Sequence, residues 1–392
     1  MLIRVIMAYF YWCIFTLILI HYFIYPVAVN ICARLKRENY IAPEINAIPY
    51  INLPTITFVI AAYNEEAVIA EKLENTIELD YPKEKIEIIV ASHGSTDSTH
   101  NIVSGYSENN IMSLHSSNRE GKSAALNYAV ENASNEIIVF SDANNMFSKD
   151  ALLYLARHFQ RNDIGGVCGR KSITESNDRQ AAKGDGLYWK YESAIKKSEG
   201  ICKTITSADG EIFAMRKALY KPIGKEIIND DLKITFDIIQ AGSCVIYEDK
   251  ALSSEAASIS LIDDYYVKVR MVAGGFQFIN CNIYALLKNS LSFLIMFFIH
   301  KVLRWVMPGL LILLIILSIP VLENPVIGSL FFLQLLFYML ALIGLIFIKQ
   351  VHKIQLLYIP TYFCLMNAAA LHGFFRYLLK SQSVSWRRAK RT

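Results

Sequence analysis

Hydrophobic positions gather at the two ends of this chain and leave an ordinary alternating pattern between them. From Val5 to Ile31 the sequence is an almost uncharged apolar run, broken only by His21 and Asn30. About 20 apolar residues suffice to cross a bilayer, so the run predicts a membrane anchor. A secretory signal has a shorter apolar core and a small-residue cleavage site, and neither is visible here. The run ends in Ala33-Arg34-Leu35-Lys36-Arg37. By the positive-inside rule, that basic cluster places the following segment in the cytosol.

Between about Arg34 and Asn280 the pattern is that of a soluble protein. The β-branched run Pro54–Ala62 predicts a buried strand, and Glu65–Leu79 has helical spacing with Val68, Ile69, Leu73 and Ile77 on one face. A second strand is expected at Ile86–Ala91, then a polar loop (SHGSTD) opening a helix near Ser98. Glu136–Phe140 predicts another strand, running into Ser141-Asp142-Ala143-Asn144. Strands alternating with helices predict an α/β fold whose mainly parallel sheet is covered on both faces. Ligands of such sheets sit beyond the carboxyl ends of the strands.

Past Asn280 the apolar pattern returns. Met307–Leu322 and Val326–Ile348 are spanning candidates separated by Glu323-Asn324-Pro325. Leu291–Trp305 carries His300, Lys301 and Arg304, and Leu356–Leu379 carries Asn367, His372 and Arg376, which suits helices lying at the interface. A third full span here would put Arg387, Arg388, Lys390 and Arg391 outside, so two are expected. The chain thus divides into an anchor (1–33), a cytosolic domain (50–280), an interfacial region (283–305), C-terminal transmembrane and interfacial helices (306–380) and a basic tail (381–392).

Composition sharpens this picture. An apolar fraction of 54% and a mean hydropathy of +0.31 exceed what an ordinary cytosolic enzyme carries. The seven cysteines show no CxxC spacing, which argues against a zinc site or a disulfide framework. The net charge of +4 is modest and sits largely beside the membrane segments, so anionic headgroups rather than nucleic acid are its expected partners.

Four elements follow one another in order: Tyr63-Asn64-Glu65 at the end of one strand, His93-Gly94-Ser95-Thr96-Asp97 at the end of the next, Arg119-Glu120-Gly121-Lys122, and Asp142-Ala143-Asn144. A strand-end carboxylate holds Mg²⁺ or Mn²⁺ through one or two oxygens while phosphates supply others. Asp142 suits that task, with Asn144 two residues on, and Arg119 and Lys122 suit phosphate. An Asp-x-Asn after a strand is more often a turn former, and the joint order is what carries weight.

With these motifs the chain resembles the family 2 inverting glycosyltransferases, the group of cellulose, hyaluronan and poly-N-acetylglucosamine synthases, from about Pro54 to Asn280. The resemblance implies a GT-A type nucleotide-sugar-binding domain in the plasma or inner membrane, multi-pass, with a cytosolic catalytic domain. It implies transfer of a sugar from a nucleoside-diphosphate sugar, UDP-linked by preference, to a glycan or lipid-linked acceptor in surface polysaccharide synthesis, with Mg²⁺ or Mn²⁺. PTITFVIAAYNEE resembles the nucleotide loop, so Ala62, Tyr63 and Glu65 join His93, Arg119 and Lys122 as nucleotide-binding candidates. VFSDANN resembles the metal-binding Asp-x-Asp, giving Asp142 and Asn144 as metal ligands. ITSADGEIFAMRK resembles the donor-sugar segment, giving Ser207, Asp209 and Gly210 beside Asp142. IINDDLKITFDIIQAG resembles the Thr-Glu-Asp segment, with Asp231 as catalytic base and Asp230 beside it. VKVRMVAGG lies where the family carries Gln-x-x-Arg-Trp, giving Arg270 as a diphosphate or acceptor-channel contact.

Three departures matter. His93 stands where the family has an Asp that accepts from the uracil imide, Asn144 replaces an acidic ligand, and Val267 and Met271 replace Gln and Trp. A neutral His93 accepting from the base would make donor affinity fall between about pH 7.5 and 5.5. These departures keep open an inactive partner of another synthase, and the few spans after the domain, which leave little material for a polymer channel, keep open single-sugar transfer to a polyprenyl phosphate.

Overall fold

The computed structural model describes residues 2–36, 43–45, 48–107, 110–174, 181–256, 261–348, 350–351 and 354–384. Arg37 of the basic cluster and the tail residues Arg387, Arg388, Lys390 and Arg391 lie outside the described residues.

Among the described residues, eight strands form one sheet: β1 (Ile56–Ala62), β2 (Ile86–His93), β3 (Ile111–Ser116), β4 (Ile137–Asp142), β5 (Met146–Phe147), β6 (Ile164–Thr174), β7 (Phe213–Arg216) and β8 (Cys244–Ala256). Their spatial order is β3-β2-β1-β4-β7-β6-β8-β5. The first four run parallel, β7 is antiparallel to β4 and β6, β6 is parallel to β8, and β5 is antiparallel to β8. Because side chains alternate along a strand, both sheet faces need cover. Phe58, Ile60, Ile88 and Val90 pack on one side with Ile69, Leu73, Leu152 and Leu155. Val59, Ile89 and Ala91 pack on the other with Ala125, Leu126, Ala129, Ile234 and Ile238. The predicted strands are present, β1 starting at Ile56 rather than Pro54, β2 running on to His93 and β4 covering Ile137–Asp142, and the helix expected from Glu65 begins at Ile69. Residues 65–68 form a turn in which the Glu65 carbonyl accepts from Val68 and Ile69.

Among the described residues, three helices are long and apolar enough to cross a membrane: Leu2–Lys36, Leu291–Val321 and Pro325–Ile346. The stretch read as a separate interfacial segment, 291–305, is the opening of the second of these. Its continuity follows from burial: Phe293, Phe297 and Trp305 pack with Val272, Phe278 and Ala370 in one apolar cluster. That cluster also takes Leu232 and Phe236, from the helix Asp230–Gln240. One face of this helix therefore rests on the sheet and the other on the membrane-associated helices. The long helix Leu261–Leu287 packs along Gln355–Leu378, where Gly373 leaves room for the Val269 carbonyl.

Candidate active site

The parallel strands deliver their carboxyl ends to one edge, and the predicted residues arrive there in sequence. After β1, Asn64 adopts a positive φ of 53° and its side chain reaches the β2 loop, accepting from the Thr96 amide at 2.8 Å. The Asn64 amide donates to Ser95 Oγ at 3.1 Å, and the Glu65 amide to Thr99 Oγ1 at 2.8 Å. Asp97 accepts from the amides of Glu66 and Thr99. The conspicuous acid of that loop is thus committed to closing it. Glu65 is buried beneath the same loops and Ala62 is buried at the strand end, so a nucleotide contact by Ala62 would use its backbone.

Tyr63 lies under the Arg119 guanidinium, 4.4 Å from its ring centroid. His93 is 7% exposed, and both its ring nitrogens lack a hydrogen-bond partner among the described residues. The Tyr128 ring stands 5.8 Å from it. Burial lowers the His93 pKa below its ordinary value of 6.5, with His115 and Lys225 adding to that and Glu120 opposing it. Gly94, at φ 72°, lets this loop touch the Arg119 segment: a Cβ there would meet Arg119 Cα at 2.7 Å.

Gly121, at φ 90°, caps the helix Lys122–Asn132, and the N-terminus of a helix favours an anion. Lys122 Nζ lies 2.6 Å from Asp142 Oδ1, both half-buried. Burial works against the Lys122 charge, but Asp142 and Asp230 outweigh it and hold the ammonium above its ordinary range. Arg270 is close enough to oppose them. Asn144 follows Asp142 half-buried, and Asn145 behind it is fully buried. Lys72, fully buried over the Phe58 and Phe147 rings, donates to the Asn145 carbonyl at 2.5 Å. Burial pushes its pKa down to about 7, against the pull of Asp142.

Asp230 and Asp231 open the helix Asp230–Gln240, where carboxylates are favoured by the helix dipole. Gly210 presses against Asp231, with room for a Cβ only 3.4 Å from the Asp231 Cβ. Burial raises the Asp231 pKa to about 6, with Asp230 and Asp209 adding to it and the Leu232 amide and Lys122 opposing. Ser207 is half-buried and donates to the Ala208 carbonyl. Asp231, Asp209, Lys122, Asp142 and Asp230 thus sense one another electrostatically, while Arg119 and Tyr63 form a separate stacked pair at the rim.

Sequence reasoning missed the polar side chains that grip this edge from behind. Lys171 pairs with Glu211 at 2.9 Å and with Glu255, and Asn145 donates to Glu255. Lys196 pairs with Asp209. Glu192, Lys196 and Glu199 recur at helical spacing, the one signal that would have singled out that face.

Asp142 and Asn144 carry three side-chain oxygens between them, one already paired with Lys122, few enough that a bound diphosphate would have to complete a cation's shell. Among the described residues no cluster of three His, Cys, Asp or Glu side chains forms a metal cage. The donor set therefore fits a divalent ion that arrives with the nucleotide.

Residues 57–224 match the model of glycosyl transferase family 2. Among relatives, the poly-β-1,6-N-acetyl-D-glucosamine synthase of Staphylococcus aureus is 26% identical over 275 residues, 68% of this chain and 66% of that protein. The chain thus spans just under two thirds of that relative's length. A β-monoglucosyldiacylglycerol synthase of Nostoc sp. is 29% identical over 58% of this chain and 50% of its own. Among solved structures, a mannosyltransferase from Pyrobaculum calidifontis, in complex with GDP-Man and Mn²⁺, superposes with a TM-score of 0.68 at 20% identity, covering 94% of this chain and 99% of its own. That neighbour shares the fold, a mixed α/β domain of GT-A type with a mostly parallel sheet. Strand order, strand-end chemistry and the match over β1 to β7 agree, and the chain carries a glycosyltransferase domain of family 2.

Proposed function

We propose that this chain transfers a sugar, with inversion, from a nucleoside-diphosphate sugar to an acceptor at the bilayer surface in surface polysaccharide synthesis. The observation that carries this reading is the meeting of Asp231, at a pKa of about 6, with the Lys122–Asp142 pair across one sheet edge. Asp231 takes the proton of an acceptor hydroxyl as its oxygen bonds to the anomeric carbon, and the bond from that carbon to the diphosphate breaks. Lys122, Arg119 and the N-terminal end of the helix after Gly121 receive the charge that develops on the leaving diphosphate. A divalent ion held by Asp142 and Asn144, Mn²⁺ or Mg²⁺, would supply further charge neutralisation there. Asp209, Gly210 and Ser207 would hold the donor sugar, and Arg270 the diphosphate. Tyr63, Glu65, the Ala62 backbone and His93 would hold the nucleoside.

The anchor, the two later spans and the basic cluster at Arg34 and Lys36 support a multi-pass protein with its catalytic domain in the cytosol. A single-sugar transfer to a lipid is the second reading. It is favoured by Met271, 44% exposed where a polymer synthase carries Trp, and by a relative named for a glucosylated diacylglycerol. Incubating the purified full chain with UDP-N-acetylglucosamine, UDP-glucose and GDP-mannose, with Mn²⁺ and membrane lipids, and weighing the products separates the two. A ladder of sugars supports the polymer, a single addition supports the lipid, and no product from any donor overturns the transferase.

The orphaned nitrogens of His93 suit a base contact, and UDP is favoured because neutral His accepts from an imide N–H. That contact exists only while the ring is neutral, so protonation must weaken it. Since burial lowers this pKa, the fall in UDP affinity is expected below pH 6.5 rather than across the window the ordinary value implies. Titration calorimetry in His93→Asp should give a flatter profile. Equal profiles would remove His93 from the base.

A further inference from the structure

Helix Ala181–Cys202 packs against the helix Leu2–Lys36 and leads into the donor-sugar segment, and Glu192, Lys196 and Glu199 are all buried on it. Lys196 Nζ lies 2.6 Å from Asp209 Oδ1, with side-chain exposures of 3% and 18%. The Asp209 amide donates to Cys168 Sγ at 3.2 Å, and the second carboxylate oxygen has that thiol at 3.8 Å. One oxygen of Asp209 is therefore strongly held by Lys196, and the other has only the weak thiol contact and keeps acceptor capacity.

The helix that carries the lysine is itself fixed on both sides of it. Glu192 accepts from Arg304 at 2.7 Å and from Lys301 at 3.3 Å, and His300 Nε2 lies 3.2 Å away, all three from the helix Leu291–Val321. Glu199 accepts from the Tyr25 hydroxyl at 2.5 Å and from His300 Nδ1 at 2.7 Å, which ties in the helix Leu2–Lys36. Such buried pairs contribute little net stability but define one geometry, since any other arrangement strands a charge.

We propose that Lys196 is a positioning residue for the donor sugar: it fixes the Asp209 carboxylate so that one oxygen is presented to a sugar hydroxyl, and both membrane helices hold Lys196 in register through Glu192 and Glu199. This rests on the reading of Asp209 as a donor-sugar residue. A carboxylate free to rotate would spend part of its time turned from the hydroxyl, and ordering it beforehand lowers the cost of binding. The effect must fall on the sugar, because Lys196 pairs with the sugar-side acid and not with the nucleotide loops.

The test uses the full chain in lipid nanodiscs with whichever of UDP-N-acetylglucosamine, UDP-glucose and GDP-mannose the wild type turns over. Lys196→Met is expected to raise KM for that donor by about tenfold or more, with calorimetric affinity for UDP or GDP alone changed less than about twofold. Lys196→Arg should recover part of the loss. The double variant Lys196→Met/Asp209→Asn removes both charges and strands neither, so it provides the reading if Lys196→Met fails to fold. Its KM should equal that of Asp209→Asn, since the two residues act as one unit. A KM within about twofold of wild type for Lys196→Met overturns the proposal, as does an equal loss of UDP or GDP affinity, Arg no better than Met, or additive losses in the double variant. A wild-type KM in Asp209→Asn removes the donor-sugar reading and this inference with it. An impaired Asp209→Asn beside an unimpaired Lys196→Met removes this inference alone.

Discussion

Asp231→Asn is expected to lower sugar transfer by about 10²–10⁴-fold, the usual cost of losing a general base, while UDP or GDP still binds. The separation follows from position. Asp231 stands against Gly210 at the start of its helix, and the Lys122–Asp142 pair that would meet the diphosphate stays intact without it. The same residue sets the acid limb of the rate profile. A base works only when deprotonated, so turnover should fall as pH drops through about 6, the value to which burial, Asp230 and Asp209 raise this carboxyl. Asp230→Asn removes one of those neighbouring charges and should move the limb to lower pH. Initial rates against pH, with saturating donor, check both. An Asp231→Asn enzyme keeping more than about a tenth of the wild-type rate would assign the base elsewhere.

The second large effect is expected at Asp142. Asp142→Ala removes the one carboxylate of the Asp-x-Asn pair, leaving Asn144 as a neutral donor. Losing an outer hydrogen-bonding partner of a metal site costs about 10–100-fold in metal affinity, and losing a direct ligand should exceed that. Calorimetry with UDP and with GDP, with and without Mn²⁺, should show the metal-dependent gain of the wild type disappear in the variant. Some metal-free affinity should remain and can even rise, because Lys122 loses its 2.6 Å partner and its ammonium becomes available to phosphate. An undiminished Mn²⁺-dependent gain would exclude Asp142 as a ligand. Lys122→Met supplies the contrast: it should weaken the metal-free affinity.

Much of this edge is legible in the amino-acid sequence. β1, β2 and β4 are parallel neighbours, so residues following each strand must converge, and Tyr63, His93 and Asp142 each lie at the end of one. Their local sequence encodes that placement because a strand's pattern and its terminating loop lie within a few residues of each other. The anchor is legible for the same reason, being one uninterrupted apolar run. The role of Asp97 is not, since its chemistry resembles a ligand's until its hydrogen bonds to Glu66 and Thr99 are seen. The joining of 291–305 to the following span is hidden because its cations read as interfacial. In the fold Arg304 and Lys301 turn to Glu192, which no local pattern announces.

The sequence by itself thus determined what depends on neighbours along the chain: strand and helix periodicity, the apolar runs, and the order in which polar groups leave the strands. The tertiary structure decided what depends on partners far away. Tyr25 and His300 reach Glu199 across 174 and 101 residues, and Lys171 reaches Glu211 across 40. Asp231 acquires its raised pKa from burial in the packed fold, to which Asp230 and the distant Asp209 add. Hydrophobic periodicity is written in every turn of the chain, whereas the pairing and desolvation of charges are properties of the packed interior alone.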